Sequence, residues 1–187
     1  MKITVFGGSN PKPDEKPYQE ALELGQLLGK AGYEVLSGGY IGTMEAVSRG
    51  AAEAGGHVIG VTCREIEAWR GIKANPWVQE EWQNDTLRQR LDLLIHKCDC
   101  ALALPGGVGT LVEICLTWDQ MIIHAFEPKP LIVIGEGWKA TFDTLFINLG
   151  DYIPQSYRIW LHFAPDIHSA VALLKEMLNS RKNFQKT

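Results

Sequence analysis

The sequence has no uninterrupted apolar run approaching the roughly 18–20 residues that cross a bilayer, so no membrane span is expected. The residues after Met1 lack the basic stretch, long apolar run and small-residue cleavage site of a secretory signal. A cytoplasmic protein without membrane contact is the expectation. Positive charge is also short: 18 Lys and Arg stand against 22 Asp and Glu, a formal net charge of -4. Such a surface offers no broad cationic field to nucleic acid or to an anionic membrane, so any phosphate has to be held locally.

Cysteine is sparse. Cys63, Cys98, Cys100 and Cys115 include no C-x-x-C pair of the kind that builds a zinc site, and all four read as small core residues. His57, His96, His124, His162 and His168 share no metal-ligand spacing and read as structural or surface groups. No metal and no cofactor is therefore expected. Also missing are the Gly-Lys-Ser/Thr ending of a Walker A loop and the G-x-G-x-x-G of a dinucleotide fold, which sets aside those two modes of nucleotide binding.

What is present is an alternation of short β-branched runs with longer helical patterns across 187 residues, of which 45% are apolar. That pattern predicts one α/β domain, a Rossmann-like three-layer αβα sandwich with a mostly parallel central sheet. Strands are expected at Lys2 to Phe6, Glu34 to Leu36, His57 to Val61, Cys100 to Leu104 and Leu131 to Ile134. Helices are expected at Tyr18 to Ala31, Thr43 to Ala54, Asp85 to Lys97, Thr110 to Ala125, Ala140 to Leu149 and Ser169 to Asn179. Cys63 to Gln83, with Trp69, Trp77 and Trp82, shows no clear period and reads as a long irregular excursion that either lines a site or packs at a surface. The polar tail at 179–187 is expected to fray.

Three glycine-rich turns each follow an expected strand and should gather at one sheet edge, where open parallel sheets hold their ligands. They are Gly7-Gly8-Ser9-Asn10, Gly38-Gly39-Tyr40-Ile41-Gly42-Thr43 and Pro105-Gly106-Gly107-Val108-Gly109-Thr110. In the third, glycines admit close backbone approach while the start of the following helix favours an anion, which makes it the leading phosphate site. Gly8, Ser9, Gly39, Gly42, Thr43 and Met44 are the candidate contacts on the other two turns. Glu113, in the first turn or so of that helix, either complements the helix dipole or acts as a base or charge stabiliser beside a ligand. Arg90 borders the apolar stripe Leu87, Leu91, Leu94 and Ile95, and either enters the crevice or snorkels to solvent.

The run Pro105 to Glu113 resembles the P-G-G-x-G-T-x-x-E signature of the Lonely Guy (LOG) family, cytokinin riboside 5'-monophosphate phosphoribohydrolases and their bacterial relatives. The match extends to Ser37 to Met44, Gly55 to Val61, Thr117-Trp118-Asp119-Gln120, His124 and Lys129-Pro130, covering roughly residues 2 to 134. The resemblance implies catalytic roles for Arg90 and Glu113, with a nucleoside 5'-monophosphate, AMP or cytokinin-type, cleaved to free base and ribose 5-phosphate. It also implies a homodimer with sites near the subunit interface. With the 5'-phosphate at Gly107 to Thr110, the ribose would stand near Glu113. Departures are Leu91 where the family carries a lysine, and Glu45 where a glycine is usual. The alternatives are a non-catalytic carrier of the same fold, as proposed for related molybdenum-cofactor proteins, and a nucleotide-sensing subunit that uses Cys63 to Gln83 against a partner.

Overall fold

The computed structural model describes the backbone of residues 1–184 and side chains through Ser180. Seven strands, β1 (Lys2–Phe6), β2 (Glu34–Ser37), β3 (Val58–Cys63), β4 (Glu80–Asn84), β5 (Cys100–Ala103), β6 (Leu131–Ile134) and β7 (Leu161–Ala164), form one sheet. Every pairing is parallel and the order is β4-β3-β2-β1-β5-β6-β7. The helices are α1 (Lys16–Lys30), α2 (Thr43–Glu53), α3 (Arg64–Arg70), α4 (Leu87–His96), α5 (Val108–Ile122), α6 (Glu136–Leu149), α7 (Gln155–Arg158) and α8 (Ile167–Phe184).

Strand alternation sorts the core. Ile3, Val5, Val35, Val58, Cys100, Leu102 and Ile132 point to one face, under α1, α2 and α8. Phe6, Leu36, Ile59, Val61, Ala101, Leu131 and Val133 point to the other, under α4, α5 and α6. The α/β sandwich expected from the alternation is therefore observed, and all five expected strands stand within a residue or two of their places. Cys63, Cys98 and Cys100 are buried as expected, whereas Cys115 is only partly covered. His57 pairs with Glu80 at 2.9 Å and His168 with Glu23 at 3.3 Å, while His96 stacks edge-on to Phe126.

Several boundaries move for local reasons. Helix α5 begins at Val108 rather than Thr110 and ends at Ile122, because His124 takes a left-handed φ of 54° and stops it before Ala125. Helix α6 begins at Glu136, directly after Gly135 with φ 104°, rather than at Ala140. Helix α8 runs through Phe184, so residues 179–184, expected to fray, continue it; 185–187 lie outside the described residues.

The excursion at Cys63 to Gln83 is corrected most. It holds α3, a loop, and edge strand β4, whose residues Glu80 to Asn84 are polar apart from Trp82 and largely exposed and so carry no strand-like apolar run. Edge strand β7 at the opposite margin was hidden because its sequence, LHFA, breaks the apolar run with His162 and is only half-buried at its centre. None of the described helices is long and apolar enough to cross a membrane.

Helices α1 and α2 approach each other through glycine. A side chain added at Gly50 would overlap the carbonyl oxygen of Leu22, and one at Gly25 the carbonyl oxygen of Val47. These neighbours are backbone and cannot swing aside. Gly50→Ala should therefore destabilise the fold by about 1–3 kcal/mol through overpacking, read as a lowered urea midpoint with an unchanged slope.

Candidate functional site

The sheet order turns back at β1. Strands β2, β3 and β4 lie on one side of it and β5, β6 and β7 on the other, so the chain leaves β1 and β5 in opposite directions and opens a crevice beyond their carboxyl ends. The Gly7 to Asn10 turn follows β1 and the Pro105 to Thr110 turn follows β5, on the two sides of this crevice. The Gly38 to Thr43 turn follows β2 beside them.

The three turns interlock. Thr43 donates both its N–H, at 2.9 Å, and its hydroxyl, at 3.0 Å, to the carbonyl oxygen of Gly8. Gly42 holds φ 73° against the backbone of Gly8 and Ser9, and a Cβ there would strike both. A Cβ at Gly106 would overlap the Thr110 hydroxyl, so Thr110 and Gly106 close on each other. By contrast, Gly107 and Gly109 face open space, and Val108 is exposed. No side chain caps the opening turn of α5 at Gly107. Backbone N–H groups at an uncapped helix start carry partial positive charge and lack intrahelical acceptors, which suits an anion.

Arg90 enters the crevice rather than snorkelling. Helix α4 starts in a full capping box between Thr86 and Gln89, which fixes its first turn and hence the direction of Arg90. Arg90 is 5% exposed, and its side chain donates from Nε to the Val61 carbonyl oxygen at 2.8 Å. Its guanidinium carbon lies 5.7 Å from the centre of the Tyr40 ring, and Nη2 lies 3.9 Å from the Met44 sulfur. Its Nη1 stands 3.8 Å from Oε1 of Glu113. That separation exceeds a charge-assisted hydrogen bond, so both groups retain hydrogen-bonding capacity toward a ligand.

Glu113 is the sixth residue of α5, beyond the first turn, and is 8% exposed. Helix-dipole complementarity fades past the first turn, so the structure disfavours the reading that needs it. Burial pushes the Glu113 carboxyl up to about 7, with Arg90 opposing the rise. A carboxyl poised there exchanges its proton near neutrality, the property of a general acid or base.

Met44 is buried against Arg90, and Gly39, with φ 76°, closes on Thr62 and Gly60. Gly8 and Ser9 are half-buried on the β1 turn. Three features escaped the sequence: Tyr40, Asn75 and the Val61 carbonyl. Asn75 donates its N–H to the Gly39 carbonyl at 2.8 Å and its Nδ2 to the Tyr40 carbonyl at 2.9 Å, stitching the excursion to the β2 turn. The excursion thus supports the crevice through Asn75. Its tryptophans sit elsewhere: Trp69 beneath Arg70, Trp77 beneath Arg49, and Trp82 donating to Glu80. The described residues contain no group of three or more His, Cys, Asp or Glu able to hold a metal.

A model of the SLOG cluster4 family matches residues 1–143. The chain belongs to this SLOG/LOG family. It is 30% identical over 181 residues to a probable cytokinin riboside 5'-monophosphate phosphoribohydrolase of Oryza sativa subsp. japonica, with 94% of this chain and 78% of that protein covered. It is 29% identical to a cytokinin riboside 5'-monophosphate phosphoribohydrolase of Rhodococcoides fascians, over 72% of this chain and 67% of that one. Among solved structures, the molybdenum cofactor binding protein of Rippkaea orientalis superposes with a TM-score of 0.74 at 24% identity, covering 95% of this chain and 96% of its own. At that identity the likeness is one of fold.

In this SLOG/LOG chain Arg90 is the charged group that opposes protonation of Glu113. Arg90→Met should raise the Glu113 midpoint above 7, as read by carbon-13 NMR of the labelled carboxyl. The sign for stability follows from the same shift. The folded chain holds this proton up to about 7 against an ordinary value of 4.5, so Glu113 makes stability fall as pH rises between those values. Glu113→Gln should flatten that decline in chemical denaturation curves taken from pH 4.5 to 7.

Proposed function

We propose that this chain is a phosphoribohydrolase that cleaves the N-glycosidic bond of a nucleoside 5'-monophosphate, AMP or cytokinin-type, to the free base and ribose 5-phosphate. The observation that carries the reading is the buried Arg90 and Glu113 pair, 3.8 Å apart, with the Glu113 carboxyl near 7. The named activity of the Oryza and Rhodococcoides relatives supports it.

In this reading the 5'-phosphate rests on the exposed backbone of Gly106, Gly107, Val108 and Gly109 at the uncapped start of α5. The ribose then lies over Glu113. As the bond from C1' to the base nitrogen breaks, its electron pair leaves with the base and the sugar gains oxocarbenium character. The ionised Glu113 carboxylate stabilises that positive charge and takes a proton from the water whose oxygen bonds to C1'. The departing base nitrogen is protonated from solvent or from Glu113. Arg90 stands beside Glu113 and keeps a fraction of it ionised. A homodimer, implied by the family resemblance, belongs to the same reading.

Purified wild type and Glu113→Gln, incubated with AMP and a panel of nucleoside monophosphates, test it by chromatography of base and ribose 5-phosphate. The expected outcome is release by wild type and a loss of roughly 10²–10⁴-fold in the variant, with nucleotide affinity retained. Wild-type turnover should rise with pH through about 7, because the working form is the carboxylate. Binding by calorimetry without release by wild type would overturn the hydrolase in favour of a carrier of the same fold.

A further inference from the structure

The Gly38 to Thr43 turn carries a bulky residue, Tyr40, among its glycines, and Tyr40 is 2% exposed. Its hydroxyl makes two bonds to one residue: it donates to the Cys63 carbonyl at 3.0 Å and accepts from the Cys63 N–H at 2.8 Å. Cys63 ends β3, two residues after Val61, whose carbonyl receives Arg90 Nε at 2.8 Å. The face of the same ring lies 5.7 Å from the Arg90 guanidinium carbon. One side chain therefore anchors the strand end that holds Arg90 and covers one side of its cation. Gly38 bounds another side, since a Cβ there would overlap Arg90 Nη2 and Met44 Sδ.

We propose that Tyr40 and Gly38 are positioning residues that set where the Arg90 guanidinium stands relative to Glu113. Both are buried, away from the exposed backbone at the start of α5. Tyr40 holds the cation through the end of β3, and Gly38 leaves the space the cation occupies. Asn75 secures the turn from the far side through the Gly39 and Tyr40 carbonyls, so the α3 to β4 segment bears on the site without contributing a reacting group. The catalytic meaning of this placement rests on the hydrolase reading. The placement itself can be measured without turnover.

The experiment is a carbon-13 NMR titration of the Glu113 carboxyl in full-length wild type, Tyr40→Phe and Gly38→Ala, each first shown to be folded by circular dichroism. Tyr40→Phe keeps the ring face and removes only the hydroxyl. Gly38→Ala displaces the ends of two flexible side chains while leaving backbone contacts alone, so it carries the test if Tyr40→Phe does not fold. Displacing Arg90 changes its separation from Glu113 and hence the attraction that favours the carboxylate, so the midpoint should shift from the wild-type value by about 1 unit or more in both variants. Where wild type turns over nucleotide, kcat should fall with KM nearly unchanged. A folded variant whose Glu113 titrates as in wild type overturns the proposal. Absence of wild-type turnover bears on the hydrolase reading alone and leaves the titration result standing.

Discussion

The burial of one guanidinium organises this site. An arginine cannot shed its proton at any working pH, so a residue 5% exposed must find partners in place of water. Arg90 receives a carbonyl from β3, an aromatic face from the β2 turn, a sulfur from the start of α2, and a carboxylate from α5. Those partners come from three separate stretches of chain. Each holds its place only because the sheet brings the ends of β2, β3 and β5 together.

The same placement sets the chemistry of Glu113. Desolvation alone would favour its neutral form, and a cation in direct contact would keep it ionised. At 3.8 Å from Arg90 the two effects leave the carboxyl near 7. A group balanced in this way is sensitive to small displacements of its neighbour. The glycines of the site matter in two different ways. Gly38 and Gly42 clear space for a guanidinium and for the β1 turn, whereas Gly107 and Gly109 face open solvent at the start of α5. The first pair builds the site, and the second exposes backbone to a ligand.

Much of the fold was legible because buried parallel strands write continuous apolar runs, as in Cys100 to Ala103 and Leu131 to Ile134. Edge strands do not. Glu80 to Asn84 pairs on one side only, so its side chains are free to be polar, and Leu161 to Ala164, at the other edge, breaks its apolar run with a half-buried His162. The candidate site divides in the same manner. Glycine turns after strands gave the gathering of three turns at one sheet edge, since turn chemistry is local. Arg90 sat at the margin of its stripe, where helical period cannot separate crevice from solvent. Tyr40 and Asn75 act through backbone atoms distant in sequence, and such contacts leave no pattern along the chain.

By itself the sequence determined the alternation of strand and helix, the glycine turns and the family to which the chain belongs, because each is written in residues close together. Tertiary structure alone decided that Arg90 turns inward, that Glu113 is dry enough to titrate near neutrality, and that the α3 to β4 segment buttresses the crevice. Those outcomes depend on distances between side chains tens of residues apart, and the electrostatics of a buried pair follows distance and solvent access rather than order along the chain.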